Sequence, residues 1–137
     1  MMKRFATIVL TGLTALILAA CTEAPLKPAP DMSIPAGVSQ AQVKTSIEHA
    51  LVGRGWTLDK VQDGDILTTL HLRDHAATVH ITYDAKAVHI AYVSSSNLNF
   101  RQRGSQRYIH RNYNGWITFL EQDIQRNLQN SSVNPGN

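Results

Sequence analysis

The sequence predicts an α+β domain: a four-stranded antiparallel meander with an N-terminal and a C-terminal helix on one face, in the order α-β-β-β-β-α. Three observations predict it. Residues 38–51 place apolar side chains at helical spacing behind a capping signal. Residues 56–93 hold four runs of period-two alternation between short turn sequences. Residues 109–128 return to helical spacing.

The first helix opens at Ser39, with Gln42 three residues on, a capping box, and Val38 and Val43 where a hydrophobic staple belongs. Val43, Ile47, Ala50 and Leu51 form its apolar stripe, and Gly53 and Gly55 end it. Trp56–Val61 leads into Gln62-Asp63-Gly64, a hairpin turn with a glycine free to take positive φ. Ile66, Thr68, Leu70 and Leu72 alternate with Leu67, Thr69, His71 and Arg73. Ala77, Val79, Ile81 and Tyr83 alternate with Thr78, His80 and Thr82. Val88, Ile90 and Tyr92 continue the apolar face through Val93. Asp74-His75 and Asp84-Ala85-Lys86 supply the other two turns. A polar loop is expected from Ser94 to Arg107. The last helix then carries Ile109, Tyr113, Trp116, Ile117, Leu120, Ile124 and Leu128 on one stripe. Gly115 inside it costs about 1 kcal/mol against alanine, which close helix–sheet packing would justify. Two helices on one sheet face leave the other face open to water or to a partner.

At 137 residues the chain is one-domain sized. Its N-terminus reads as a leader. Met1–Arg4 is a short basic segment, and Phe5–Leu18 is apolar and too short to span a bilayer as a helix, which takes roughly 20 residues. Leu18-Ala19-Ala20-Cys21 resembles the lipobox of bacterial lipoproteins: an apolar residue, two small ones, then cysteine. The resemblance implies cleavage before Cys21 and acylation of its thiolate. It makes residues 1–20 a signal peptide and the acyl chains the membrane anchor, with no separate cofactor. Thr22, rather than aspartate, follows the cysteine, which under the lipoprotein sorting rule implies the outer membrane, facing the periplasm. Cys21 is the sole cysteine, so no intrachain disulfide can form.

Four of the five prolines fall within residues 22–37, so residues 21–37 read as the lipidated cysteine plus an extended linker. At about 3.1 Å per residue that linker would hold the domain up to roughly 50 Å from the lipid. The globular domain is placed at 38–129 and a flexible polar tail at 130–137. Without Lys3 and Arg4, the mature chain has eleven basic residues (thirteen less two) against ten acidic ones. Near-neutrality and export both argue against a nucleic-acid partner.

Three features are candidates for chemistry. By alternation His71, His80 and His89 share the outer sheet face, where three close imidazoles would bind Zn²⁺ or Cu²⁺. Pairing about an Asp74-His75 turn would, however, set His71 opposite Thr78, not His80; decoration of a solvated face is the plainer reading. Asp63, Asp74 and Asp84 sit at turns, where aspartate bonds local backbone N–H groups; acid–base work would need two of them to converge. The most informative stretch is 97–116. No acidic residue occurs from Ala85 to Leu120, while Lys86, Arg101, Arg103, Arg107 and Arg111 do, interleaved with Phe100, Tyr108, Tyr113 and Trp116. Arginine matches carboxylate and phosphate oxygens bidentately, and aromatic faces stack on flat groups. Asn97, Asn99, Phe100, Arg101, Arg103, Arg107, Tyr108, His110 and Arg111 are therefore the candidate ligand or partner residues. The partner would be peptidoglycan, lipid phosphate or an acidic envelope protein. The plainer alternative makes Tyr113 and Trp116 core, the asparagines turns and the arginines solvated.

Ser96-Asn97-Leu98-Asn99-Phe100 and Ile109-His110-Arg111-Asn112-Tyr113-Asn114-Gly115-Trp116-Ile117, with Leu120 and Ile124, resemble a motif of small, uncharacterised proteobacterial lipoproteins; Gly55-Trp56 and Tyr83-Asp84 fit it too. The resemblance spans most of residues 38–129. It implies the lipoprotein fate and an α+β domain, and brings no activity and no catalytic residues. The sequence therefore ranks a non-enzymatic binding domain first, a metal or small-ligand module on the open sheet face second, and an envelope hydrolase third.

Overall fold

A computed structural model describes residues 22–134. The leader, Cys21 and residues 135–137 lie outside the described residues. The described residues are α+β, with two helices and two antiparallel sheets. In chain order the elements are β1 (Glu23–Pro25), β2 (Met32–Ser33), α1 (Gln40–Gly53), β3 (Trp56–Gln62), β4 (Asp65–Leu72), β5 (His75–Tyr83), β6 (Ala87–Ser96), β7 (Arg101–Arg103), β8 (Gln106–His110) and α2 (Arg111–Val133). The larger sheet has five strands in the order β2-β6-β5-β4-β3, and the smaller has three in the order β1-β8-β7.

The expected meander is β3 to β6. The capping box at Ser39 forms in both directions: Gln42 N donates to Ser39 Oγ at 3.2 Å, and Ser39 N donates to Gln42 Oε1 at 2.9 Å. Gly64 takes φ +78°, and a Cβ there would lie 3.2 Å from Tyr83 O, so the first turn needs glycine twice over. The alternating residues of β4, β5 and β6 bury Ile66, Leu70, Val79, Ile81, Val88 and Ile90. These join Val43, Ile47 and Leu51 of α1 and Tyr113, Ile117, Leu120, Ile124 and Leu128 of α2 in one core. The guanidinium of Arg54, capping α1, holds Asp123 of α2 through Nε at 2.6 Å and Nη2 at 3.2 Å.

Four expectations are corrected. First, the sheet is not four-stranded. Residues 94–107 are not a free loop: β6 runs on to Ser96, and β7 and β8 form a hairpin with Arg101↔Tyr108, Gln102↔Arg107 and Arg103↔Gln106 in register. Ile109 accordingly belongs to β8, and α2 begins only at Arg111.

Second, residues 22–37 are not a linker. Glu23–Pro25 pairs with β8, Met32–Ser33 pairs with β6, and Leu26, Ala29 and Met32 are buried. Extended proline-rich backbone repeats every three residues, so positions 26, 29 and 32 fall on one side of the strap. That side is apolar. The short strands are edge strands, where a missing proline N–H costs little. Leu26 N donates to Arg107 O and Ile34 N to Lys86 O, each at 2.8 Å, so one strap stitches both sheets.

Third, the tail from Asn130 is not all flexible: α2 continues to Val133. Ser131 Oγ donates to Asn127 O and lies 3.3 Å from Ser46 Oγ, while Asn127 Nδ2 donates to Ser46 O, which ties the end of α2 to α1. Fourth, nothing lies within 4 Å of a Cβ built on Gly115, so close packing does not explain that glycine.

Met32 is fully buried, and truncating such a side chain costs about 2–5 kcal/mol. Met32→Ala should lower the unfolding free energy by that amount, read as a lower urea midpoint with the slope m unchanged. A loss below about 0.5 kcal/mol, the range of surface substitutions, would detach the strap from the cooperative unit.

Candidate anion-binding surface

The chain leaves β6 through two asparagines in the left-handed region, Asn97 at φ 56° and Asn99 at φ 52°, a conformation asparagine tolerates better than most residues. Asn97 Nδ2 donates to Asp74 O at 2.6 Å, and His75 Nδ1 donates to Asn97 O at 2.7 Å. Between the two asparagines, Leu98 is buried and its carbonyl accepts from His110 N at 2.7 Å. Asn97 thus clamps the loop to the β4–β5 turn, and Asn99 turns the chain toward the hairpin. Their side of the expected ligand site is structural.

Phe100 then stacks on Tyr92, with ring centroids 4.9 Å apart and planes 15° from parallel. Tyr92 also meets Tyr113 edge-on at 5.5 Å. In the hairpin, alternation separates the arginines. Arg101 and Arg103 share one face with Tyr108 and Gln106, while Arg107 shares the other with Gln102. Ile109, two residues beyond Arg107, is fully buried, so the Arg107 side faces the core and the Arg101–Arg103–Tyr108 side faces out. Arg103 lies over the Tyr108 ring at 5.7 Å and Arg107 over Tyr92 at 5.9 Å, cation–π distances that keep the guanidiniums close to the hairpin. Arg101, Arg103, Arg107 and Arg111 are all exposed. The nearest carboxylate is Glu23, whose buried Oε1 lies 3.8 Å from Arg101 Nε, too long for a hydrogen bond, and has no hydrogen-bond partner among the described residues.

His110 serves another purpose. Its Nδ1 accepts from Asn112 N at 3.2 Å, capping α2. Arg111, the first residue of α2, donates its backbone N–H to Thr22 O at 2.7 Å. Asn114 Nδ2 donates to Pro25 O at 2.9 Å and Lys27 N to Asn114 Oδ1 at 3.3 Å. The strap thereby brings Glu23 and exposed Lys27 beside the hairpin and α2. Reading residues 22–37 as a linker missed both; the three-residue apolar spacing was the available signal.

The histidines share the outer face but do not converge. The β4–β5 turn is Arg73-Asp74, with Leu72↔His75 in register, so His71 stands opposite Ala76, not Thr78. Ala76 is four residues from His80, about 13 Å along the strand. His80 is opposite Ala91 and His89 opposite Thr82, a diagonal pair. Each has its own carboxylate: His80 Nε2 is 2.7 Å from Asp65 Oδ1, and His89 Nδ1 is 2.7 Å from Asp31 Oδ1. Among the described residues no group of three or more metal-ligating side chains forms.

The turn aspartates do not meet either. Asp84 Oδ1 accepts from Lys86 N at 2.7 Å and Ala87 N at 2.9 Å, and these two bonds hold its carboxyl below the ordinary value. Asp63 faces Lys44 at 3.7 Å, and Asp74 faces His75 at 3.6 Å at the opposite end of the sheet.

Comparison with protein-family models, curated proteins and solved structures returns no match. Among the described residues no helix is long and apolar enough to cross a membrane.

Burial pushes the Tyr113 phenol well above its ordinary value. An unfolded tyrosine loses its proton near pH 10, whereas folded Tyr113 keeps it. Unfolding therefore releases a proton above that pH, and stability falls as pH rises. In an ultraviolet titration one of the four tyrosines should ionise only as the protein unfolds, and Tyr113→Phe should remove that delayed step. Four ordinary titrations in the wild type would contradict the burial.

Proposed function

We propose that this chain is a bacterial envelope lipoprotein, cut before Cys21 and acylated there. Its domain is a non-enzymatic binding module that takes an anionic envelope component on the hairpin of β7 and β8. Thr22 in the position after the cysteine favours the outer membrane, facing the periplasm. The carrying observation is the hairpin itself: Arg101 and Arg103 are exposed on the outward face of a three-stranded sheet, Arg107 is exposed on its other side over Tyr92, Arg111 stands at the border, and Glu23 is the carboxylate in reach.

The chemistry of these groups is that of holding. A guanidinium donates paired N–H bonds to a phosphate or carboxylate, and Tyr108 and Phe100 offer flat apolar faces beside it. Neither group is an activated nucleophile or a general base near neutral pH. The backbone ladder of β7 and β8 fixes the spacing of the arginines before any ligand arrives, which lowers the ordering cost of binding.

The triple variant Arg101→Gln, Arg103→Gln, Arg107→Gln tests the reading. Retention on anionic phospholipid vesicles, on purified peptidoglycan or on acidic envelope proteins should weaken about tenfold or more, since each charge-assisted bond contributes about 1.5–3 kcal/mol. The melting temperature should change little, because all three side chains are exposed. Unchanged retention on all three would contradict the proposal. Intact mass of protein from its native host should show a chain starting at Cys21 with added diacylglycerol; an unmodified Cys21 would overturn the anchor.

A further inference from the structure

We infer that the domain lies directly on its own bilayer, with the outer face of the β1-β8-β7 sheet against anionic phospholipid headgroups. The inference rests on the lipoprotein reading above and names the ligand of that same surface.

Its first support is how tightly Thr22 and Glu23 are held. The Thr22 carbonyl accepts from Arg111 N at 2.7 Å, and Glu23 pairs with His110. Residue 21 is joined to Thr22 by one peptide bond, about 3.8 Å from Cα to Cα. An acylated Cys21 therefore has no spacer. Its chains enter the membrane within a residue of a point fixed to α2 and β8, not at the end of a long tether.

The second support is what surrounds that point. β1 carries the anchor's attachment, and β8 and β7 follow it across the same sheet at about 4.8 Å per strand. Pro25, Tyr108 and Arg101 lie in one cross-strand row, and Arg103 is in the next outward-facing row. Arg101 and Arg103 thus stand roughly 10–20 Å from the attachment by strand spacing and rise. Arg111 is at the attachment itself. A short anchor leaves this face no room to reach a distant ligand, and the bilayer is the anionic surface already within reach.

The third support is charge and shape. The outward cations of the sheet are Arg101 and Arg103, with Arg111 exposed at the start of α2 and Lys27 exposed on the strap. Glu23, on the same face, has a side chain only 26% exposed. Asp74, exposed, lies 3.6 Å from His75, which stands between it and the sheet's end, its ring 6.4 Å from that of His110. Each basic residue near an anionic leaflet strengthens attachment about fivefold, an effect confined to roughly 10 Å from the surface in salt. Tyr108, half-buried between these arginines, is the kind of ring that sits at headgroup depth.

The test uses acylated full-length protein carrying Gln106→Cys, labelled with an environment-sensitive dye and reconstituted in vesicles. Gln106 is exposed on the outward face, and acylation removes Cys21 as a competing thiol. In vesicles with about a third phosphatidylglycerol, the dye should be quenched by headgroup-level spin-labelled lipid and shielded from aqueous iodide. That shielding should fall at least fivefold in pure phosphatidylcholine, and likewise in Arg101→Gln/Arg103→Gln/Arg111→Gln. Intact mass of the same sample reads the anchor separately. Acylated protein whose dye is equally open to iodide in both vesicles would overturn the inference while leaving the lipoprotein reading standing, with peptidoglycan or a protein then the ligand. Equal shielding in both vesicles would overturn headgroup charge as its cause. Unacylated protein would remove both readings.

Discussion

The strap of residues 22–34 is the constraint on which the rest of the structure depends. It is one short run of chain that pairs with β8 at one end and β6 at the other, and so belongs to both sheets. Its apolar residues Leu26, Ala29 and Met32 are driven inward by the hydrophobic effect, while the prolines between them cost little because their backbone is already extended. Two hydrogen bonds at 2.8 Å, from Leu26 N and Ile34 N, close the ends. Without it, β7 and β8 would be a two-stranded hairpin with no neighbour, a structure that is marginal in water.

From that constraint the surface follows. β1 gives β8 a second partner, and β8 holds β7, whose alternation sends Arg101 and Arg103 outward. The aromatic cluster below the hairpin, Phe100 on Tyr92 on Tyr113, fixes where the loop enters it. The asparagines, although near the arginines in sequence, work on a different problem: both let the chain turn with positive φ, and Asn97 clamps the β4–β5 turn. Proximity in sequence therefore mixed two sets of residues that the fold separates.

Much of the meander was legible because each of its signals is local. A capping box, a two-residue turn with glycine, and alternation over seven to ten residues all act within one element or between neighbours. The α2 stripe from Tyr113 to Leu128 was legible for the same reason. What escaped was non-local. Strands β1 and β2 are three and two residues long, too short for any period to register, and their partners lie more than fifty residues away. The hairpin of β7 and β8 was hidden by its polarity: it alternates arginine with glutamine rather than apolar with polar, so it reads as a loop. The shared face of His71, His80 and His89 followed from alternation alone. Their spacing did not, because it depends on whether Asp74-His75 or Arg73-Asp74 makes the turn.

Amide hydrogen exchange on the strap tests the central claim most directly. The N–H groups of Leu26, Ile34 and Arg111 are the ones that bond Arg107 O, Lys86 O and Thr22 O. If the strap is part of the cooperative fold, Leu26 and Ile34 exchange through global unfolding, as slowly as Ile81 in the centre of the larger sheet, and Arg111 is protected with them. Exchange of Leu26 and Ile34 at the rate of an unstructured peptide, while Ile81 stays protected, would return residues 22–34 to a loose tether and contradict the account.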